Sequence, residues 1–356
     1  MNIFRRTIPF LTAALLLAAC DKDADRTTEG GEPSSGGGKV EMTFGFSAAD
    51  LKTPLSASPV VKAVDDQLVD NLWVLQFDGQ AESSTLELCE YYPKELIAAG
   101  NKVSVALYES SDAVRIYFIA NVGRYEFASL AKGSTLGSFE NRMLSFADEA
   151  AVTASGNCLP MAGTYDGTVA FQEENVTLTR MVAKIDFSCS VSISAPGESF
   201  TINRIQLLSV ATGTRYKAHT TPSAQTGLFP DAASSNNFMD YAEVPASGLT
   251  VNHTWFLPEN LRGVVEGLTA STKGGDKVPA HSTCIEVSGD YTKGDAVYDV
   301  TYRIYPGQNS STDFNMIRNH SYTITSTIKG FNQSDVRVVV EKGIPAGKYL
   351  DGVWTE

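Results

Sequence analysis

The chain has 356 residues, enough for one large or two medium domains. Hydrophobic residues make up 43% and charged residues 19% of it, which is the balance of a globular protein that can bury a core without disulfide staples. The formal net charge of −13 argues against nucleic acid as a partner, because binding nucleic acid needs clustered lysine and arginine.

The N-terminus carries the most specific signal in the sequence. Arg5 and Arg6 are followed by an apolar run, Ile8 to Ala19, that is too short to span a membrane as a helix. The run ends in Leu-Ala-Ala-Cys, which matches the bacterial lipobox. We therefore predict that residues 1–19 are a lipoprotein signal peptide and that the thiol of Cys20 takes a diacylglycerol anchor. Cleavage would remove two arginines and bring the formal charge to −15.

Residues 20–38 contain no aliphatic side chain larger than alanine and end in a Gly/Ser run. This composition predicts a flexible tether that lifts a folded body off the membrane. The acidic run from Lys22 to Asp25 resembles the surface-export signal of Bacteroidetes lipoproteins, although a solvated linker would read the same way.

From Lys39 onward, apolar and polar residues alternate with a period of two, which predicts strands with one buried face. Helical signals are limited to single turns at Pro93–Ala99 and Ser145–Val152. The predicted strands are Lys39–Ala48, Asn71–Gly79, Val103–Leu107, Val114–Val122, one or two strands in Thr177–Ile193, Thr201–Val210, Val251–Leu257, Ala296–Tyr305, Ser321–Ile328 and Val336–Val340.

The fold class that follows is all-β, and the many turn clusters between short strands favour sandwiches over one long sheet with vulnerable edges. Alternation restarts at Asn175 after a loop-rich stretch at 155–172. We therefore predict two β-sandwich domains in tandem, an N-terminal one at residues 39–173 and a C-terminal one at 174–356.

The sequence offers no recognisable catalytic or metal-binding motif. It contains no GxSxG elbow, no phosphate-binding glycine loop, no HExxH and no CxxC pair. The four histidines, His219, His253, His281 and His320, lie far apart along the chain and read as surface or turn residues. We predict no enzyme activity, no cofactor and no metal.

Besides Cys20, the chain has Cys89, Cys158, Cys189 and Cys284. Four cysteines allow three disulfide pairings, and their spacing does not choose between these pairings and buried free thiols.

Several segments in this order resemble the Bacteroidetes fimbrillins, the lipoprotein subunits of FimA/Mfa-type (type V) pili. The resemblance covers nearly the whole chain, and its expected fold is two transthyretin-like β-sandwich domains. The segments are the lipobox with its tether, VEMTFGFSA, NLWVLQFDG, VRIYFIANVG, LTRMVAKIDF, WFLPENLRG and YRIYPGQNSSTDFNMIRNHSYTITSTIKG.

The resemblance implies assembly by strand exchange. A protease cuts the loop after the first strand, the strand leaves, and a strand from the next subunit fills the groove by β-augmentation. On this chain the removable strand would present Val40, Met42, Phe44 and Phe46 inward. Val336, Val338 and Val340 alternate in the same way, either as a donor strand or as a final edge strand of the domain.

This chain departs from the family at the expected cleavage site. Family members are typically cut after an arginine, but the loop between the first and second strands offers only Lys52 and Lys62. Lys62, nearer the second strand, is the preferred candidate for cleavage. A chain that is not processed would instead resemble the anchor subunits of such pili.

The leading hypothesis is a stalk, tip or anchor subunit of a cell-surface pilus, held in the outer membrane by its lipid. Its expected partners are other pilus subunits and a host glycan or protein. The alternative is a surface glycan-binding lipoprotein of a nutrient-uptake system, in which Tyr298, Tyr302 and Tyr305 could form a sugar platform unless they pack inside the fold. A secreted hydrolase would need a catalytic cluster that the sequence does not show.

Overall fold

The computed structural model describes residues 38–50, 52, 67–153, 158–330 and 338–345. The first half of the chain contains β1 (Lys39–Ala48), β2 (Asn71–Phe77), β3 (Leu86–Pro93), β4 (Lys102–Tyr108), β5 (Ser110–Ala120), α1 (Leu136–Glu140), β6 (Met143–Ser145), α2 (Glu149–Val152), β7 (Met161–Val169), β8 (Glu173–Arg180) and β9 (Val182–Val191).

The second half contains β10 (Glu198–Leu208), β11 (Val210–Ala211), β12 (Gly213–Arg215), β13 (Phe238–Met239), β14 (Val244–Gly248), β15 (Thr250–Pro258), β16 (Asn260–Val264), β17 (Cys284–Lys293), β18 (Ala296–Ile304), β19 (Asp313–Met316), β20 (Ser321–Ile328) and β21 (Val338–Pro345). Short 3₁₀ turns occupy Lys94–Leu96, Ser235–Asn237 and Gly275–Lys277. The predicted all-β fold class is confirmed. Among the described residues, no helix is long and apolar enough to cross a membrane.

The N-terminal part of the chain forms a seven-stranded sheet in the order β3-β2-β5-β7-β8-β1-β4, which we call the N-terminal sheet. Strands near its two ends approach each other: Gln76 of β2, next to one edge, is hydrogen-bonded to Tyr108 of β4, at the other edge. The side-chain amide of Gln76 donates to the Tyr108 carbonyl at 2.8 Å and accepts from the Tyr108 N–H at 2.9 Å. The sheet therefore curls around one apolar core, to which all seven strands contribute residues.

β2 explains how this sheet is packed on both faces. All seven of its residues are buried. Leu72 and Val74 point into the core inside the curled sheet, whereas Trp73 and Leu75 point into a second core that contains residues of α1 and α2. A strand covered on both faces does not need strict alternation, which accounts for the continuous apolar sequence there.

A five-stranded sheet, β14-β10-β17-β18-β21, and a three-stranded sheet, β15-β9-β20, follow; we call them the C-terminal sheets. They enclose a third apolar core, in which Phe200, Trp255 and Ile285 are fully buried. Because the two sheets share this core, the arrangement is that of a β-sandwich.

The chain crosses from the N-terminal sheet to the C-terminal sheets at Met181. β8 pairs with β1 and β7 in the N-terminal sheet, and β9, only two residues later, pairs with β15 and β20. The two-domain division with a boundary at residue 173 stays a prediction, and β8 begins at that residue.

Most predicted strands coincide with observed ones, and Thr177–Ile193 divides into β8 and β9. The prediction of a loop-rich stretch at 155–172 was wrong, since β7 occupies Met161–Val169. The glycines of β7 are typical of a loop in sequence. Gly163 lies so close to Thr177 of β8 that a Cβ there would stand 2.7 Å from the Thr177 carbonyl oxygen, so the strand pairing itself requires a glycine.

The four cysteines of the described residues form no disulfide with one another. Cys158, Cys189 and Cys284 are buried and Cys89 is half-buried. Burial raises the pKa of the Cys89 and Cys189 thiols to about 11 and that of Cys284 to about 12. These side chains therefore pack as small apolar groups and are poor nucleophiles at neutral pH.

Candidate functional site at the first strand

β1 lies inside the N-terminal sheet, with a hydrogen-bonded strand on either side. It pairs antiparallel with β4, from Lys39 opposite Tyr108 to Gly45 opposite Lys102. It pairs parallel with β8, which lies far along the chain. In the sheet order β4 and β8 are joined only through β1. The strand therefore fills a slot between them, and without it the facing edges of β4 and β8 would be unpaired.

The inner face of β1 fills the bottom of this slot. Met42 and Phe44 are fully buried, Phe46 is 6% exposed, and Val40 packs at the margin of the same core. Of the intervening residues, Glu41 and Ser47 are exposed, Thr43 is half-buried and Gly45 is buried. The alternation seen in the sequence thus corresponds to one buried face and one that is more open to solvent.

Phe44 makes the densest aromatic contacts of the strand. Its ring centroid lies 4.7 Å from that of Phe118 on β5 and 5.7 Å from that of Tyr165 on β7. The Phe46 ring also contacts Phe118, at 5.1 Å. β1 therefore binds across the curled sheet to strands that it does not pair with, and such aromatic contacts add to the area that is buried.

The outer face of β1 contributes much less. Thr43 and Ser104 share a hydrogen bond of 3.1 Å in solvent, and the Lys39 ammonium lies 2.9 Å from the Glu90 carboxylate with both side chains more than a third exposed. Exposed pairs of this kind contribute at most about 1 kcal/mol. The strand is thus held by its apolar inner face and its two backbone ladders.

After β1, the chain runs onto the C-terminal sheets. The Ala49 N–H donates to the Leu178 carbonyl at 2.8 Å. The Lys52 N–H then donates to the Asn319 carbonyl at 3.1 Å, and the Lys52 carbonyl accepts from the Ser321 N–H at 2.9 Å. Lys52 and His320 form an isolated parallel bridge, which adds a short piece of strand to the start of β20.

Two buried side chains hold the backbone between β1 and Lys52. Arg180, at the end of β8, donates from Nη1 to the Ala49 carbonyl at 2.6 Å and to the Asn319 side-chain oxygen at 2.9 Å. Asn319 donates from Nδ2 to the Asp50 carbonyl at 2.9 Å. Both side chains are less than 5% exposed, and their donors are directed at main-chain oxygens of this segment.

Asn319 adopts a left-handed backbone conformation with φ of 56°, which asparagine tolerates better than most residues. Its N–H donates to the Val182 carbonyl at the start of β9. This tight turn fixes the amide side chain between the two groups of sheets. Sequence reasoning missed both Arg180 and Asn319, because their partners lie 131 and 269 residues away along the chain.

Of the two predicted cleavage residues, Lys52 is exposed and its main chain is hydrogen-bonded on both sides, while Lys62 lies outside the described residues. The candidate donor residues fall at the other end of the chain. Val338 and Val340 lie on β21, which pairs antiparallel with β18 at the edge of the five-stranded sheet. Val336 and Cys20 are outside the described residues.

The tyrosines considered for a sugar platform pack within the fold. Tyr298 is 3% exposed, and the half-buried Tyr302 meets Phe200 edge-on at 5.4 Å. Tyr305 meets Phe314 edge-on at 6.2 Å. They therefore do not form a common exposed platform for stacking a saccharide.

The histidines lie apart and each is half-buried. His219 is stacked on Phe229 at 3.9 Å. Burial, together with the nearby charges of Arg215 and Arg318, lowers its pKa to about 4. Within the part of the chain that the structure describes, no three histidine, cysteine, aspartate or glutamate residues gather as a metal site would require.

The chain is similar to one described family and to several solved structures. Residues 255–326 match a family described as a domain of unknown function (DUF4906). No curated protein matches the sequence. A crystal structure from Parabacteroides distasonis, provisionally named as a cell adhesion protein, is 15% identical with a TM-score of 0.53, and the alignment covers 89% of this chain and all of that one.

A second structure from Bacteroides eggerthii carries the same provisional name. It is 14% identical with a TM-score of 0.50, over 86% of this chain and 95% of that one. The fimbrilin FimA from Porphyromonas gingivalis is 15% identical with a TM-score of 0.49, over 84% and 95%. The chain is thus an all-β protein that shares its fold with the first two structures.

Proposed function

We propose that the protein is a structural and adhesive subunit of a cell-surface pilus, assembled with other subunits by exchange of its first strand. The observation that supports this most directly is the position of β1. It is an inner strand with ladders on both sides, yet it sits at the N-terminal end of the folded body. One cut after β1 would detach it without interrupting any other strand of the sheet.

The energetics favour replacement of the strand over its simple loss. Burying side chains such as Met42, Phe44 and Phe46 stabilises a protein by about 1.5–3 kcal/mol each. The sum is comparable with the 5–15 kcal/mol that separates most folded proteins from their unfolded state. A subunit that has lost β1 would be poorly stable until another strand fills the slot, which couples processing to assembly.

Lys62 is the proposed cleavage site. A protease must draw an extended segment of substrate into its cleft, and hydrogen bonds that hold the main chain in place oppose this. The Lys52 N–H and carbonyl are both bonded to the turn before β20, so cleavage after Lys52 requires local opening. Lys62, which is nearer to the second strand in the sequence, remains the proposed site.

β21 is the proposed donor strand. It lies at an edge and is bonded only to β18 among the described strands, so that its release breaks one ladder and no other strand loses a partner. A retained edge strand is the competing interpretation. Export as a lipoprotein through Cys20, with display on the outer membrane and binding to a host glycan or protein, completes the proposal.

Limited trypsin digestion of residues 21–356 tests the proposal. We expect a cut at Lys62 that is lost in Lys62→Gln and retained in Lys52→Gln, followed by detergent-resistant ladders on a gel. Ladders should also disappear when residues 336–356 are deleted. A chain that is cut at Lys62 and remains monomeric at high concentration would contradict assembly by strand exchange.

A further inference from the structure

We infer that Arg180 and Asn319 favour an incoming strand that continues two residues beyond the slot of β1, by binding the two main-chain carbonyls that follow it. We call these two residues the carbonyl clamp. The inference rests on the proposed strand exchange, and it names the part of the protein that would set the minimum length of the incoming strand.

The ladders and the groove alone do not require the strand to continue past the slot. Ladder hydrogen bonds are the same for any sequence, and the groove binds only the alternate side chains of the segment that lies in it. Main-chain carbonyls recur at every residue, so donors fixed beyond the last ladder residue are satisfied by any strand that reaches them. These donors therefore distinguish a strand that extends past the slot from one that ends within it.

The geometry of the clamp suits this role. The Arg180 guanidinium reaches the carbonyl of Ala49 while it also holds the side-chain oxygen of Asn319. That second bond orients the Asn319 amide, whose nitrogen donates to the carbonyl of Asp50. Two consecutive carbonyls are thus bound by two side chains that also bind each other.

Burial strengthens the two bonds. With residues 49 and 50 in place, Arg180 is 2% exposed and Asn319 is 4% exposed, so their bonds to the carbonyls are made away from bulk water. A hydrogen bond that involves a charged group corresponds to roughly tenfold or more in affinity. A strand that ends before the clamp would therefore bind about ten times less tightly.

The clamp recognises main-chain atoms, and so it places no demand on the side chains at the two positions. An incoming strand of different sequence can satisfy it, provided that two further residues follow the segment that fills the apolar slot. This predicts a length requirement for the donor: ten residues for the ladder, as in β1, plus two for the clamp.

The test uses the full folded chain with one engineered protease site between residues 54 and 61, so that β1 stays in place after cutting but is no longer covalently attached. Fluorescent peptides then compete with the cut strand in mild urea. The short peptide has the sequence of residues 39–48 and the long one that of residues 39–50, both amidated. A third peptide is the long one with Ala49→Gly and Asp50→Gly, which keeps both carbonyls and removes the side chains.

We expect the long peptide to bind at least tenfold more tightly than the short one, and the glycine peptide to bind within about threefold of the long one, because the clamp binds main-chain carbonyls. In Asn319→Gly, which retains the positive φ and loses the amide, this advantage should fall to threefold or less while affinity for the short peptide is unchanged. Asn101→Gly is the matched control. Asn101 also has a positive φ beside β1, and it accepts from Phe46 through a carbonyl that glycine keeps.

The outcomes separate the inference from the proposed function. Equal binding of short and long peptides to the unsubstituted chain would overturn the clamp while strand replacement stands. An Asn319→Gly chain that weakens both peptides equally would overturn it too, because that pattern reflects general destabilisation. If neither peptide enters the slot after the cut strand has left, strand exchange itself fails.

Discussion

Tyr216 stacks on Phe139 with ring centroids 5.1 Å apart and planes inclined by 11°. Phe139 belongs to α1, whereas Tyr216 follows β12 and arrives from the part of the chain that builds the C-terminal sheets. The Tyr216 hydroxyl donates to the Glu126 carboxylate at 2.7 Å, and β12 pairs with β6. A segment from beyond β10 is thus inserted into the apolar core on the outer face of the N-terminal sheet.

Replacing Tyr216 should therefore destabilise the whole protein. For Tyr216→Ala we expect a loss of about 3–5 kcal/mol in the free energy of unfolding, because the side chain is 2% exposed and the cavity cannot refill. Tyr216→Phe keeps the ring and loses only the bond to Glu126, at a cost of about 1 kcal/mol. Urea denaturation measures both, and equal effects of the two substitutions would mean that stacking contributes little.

Glu140 is a second connection, and its contribution should depend on acidity. The carboxylate is 3% exposed and accepts from Arg115 at 3.2 Å, Tyr117 at 2.8 Å and Lys217 at 2.5 Å. Burial alone would raise its pKa, but the hydrogen bonds from Lys217 and Tyr117 and the nearby positive charges outweigh burial and lower it.

A carboxyl group whose folded pKa is lowered stabilises the protein above its unfolded pKa, and the contribution disappears as pH falls through the folded pKa. Glu140→Gln should thus cost about 1–3 kcal/mol at pH 7 and much less near pH 3. The exposed Glu109→Gln serves as the control. Urea titrations at several pH values give the comparison, and a cost that is independent of pH would contradict the assignment.

Lys273 gives a pH dependence of the same sign, but at alkaline pH. Its ammonium is buried over the Phe314 ring, with the centroid 4.8 Å away, and donates to the carbonyls of Asp313 at 2.6 Å and Asn309 at 3.1 Å. Burial lowers its pKa to about 8, and the Asp313 carboxylate opposes the shift only in part.

Between about pH 8 and the ordinary lysine pKa of 10.5, the unfolded chain binds more protons at this position than the folded one, so stability rises with pH. The rise is at most about 3 kcal/mol. The difference in unfolding free energy between Lys273→Met and the unsubstituted protein should change over pH 7.5–9.5, whereas the difference for the exposed Lys277→Met should stay flat. A flat profile for Lys273→Met would show that the amine titrates normally.

The sequence predicted what depends on local pattern and missed what depends on distant partners. β1 was recognisable because Met42, Phe44 and Phe46 alternate with polar residues, and this alternation follows directly from having one buried face. Its parallel pairing with β8 joins residues about 130 positions apart, and no local signal carries that information. The single residue Arg180 reads as an ordinary strand arginine until the fold brings Ala49 to it.

β7 was missed for a related reason, because its sequence makes sense only in contact with another strand. Its glycines and polar residues resemble a loop, and only contact with β8 explains why a strand needs them. The helical turns at Pro93–Ala99 and Ser145–Val152 could be predicted, since each contains a local capping signal or a proline. The helix α1 was missed, because five residues are too few for a periodic pattern.

The proposed lipid anchor at Cys20 can be tested independently of the fold. Cys20→Ala should abolish incorporation of labelled palmitate and glycerol and release the protein from the membrane fraction. Cys89→Ala, which alters a half-buried thiol elsewhere, should leave labelling unchanged. Labelling that survives Cys20→Ala would place the modification on another residue and would remove the basis for lipoprotein export.

The strand itself supplies the sharpest contrast between neighbouring residues. Phe44 is fully buried against Phe118 and Tyr165, so Phe44→Ala should lower the free energy of unfolding of the intact chain by about 3–5 kcal/mol. Thr43 lies on the opposite face of the strand and shares an exposed hydrogen bond with Ser104, so Thr43→Ala should cost less than about 1 kcal/mol.

Because the two residues have the same two neighbouring strands, any effect on the ladders is common to both, and the difference measures the inner face alone. The same two substitutions also distinguish an effect on the retention of β1 from an effect on the folding of the rest of the chain. In a chain cut at an engineered site after β1, Phe44→Ala should speed loss of the strand at least tenfold, as measured by exchange with a fluorescent copy, and Thr43→Ala should not. Equal rates would mean that the ladders alone retain β1, and that the apolar slot does not select the strand.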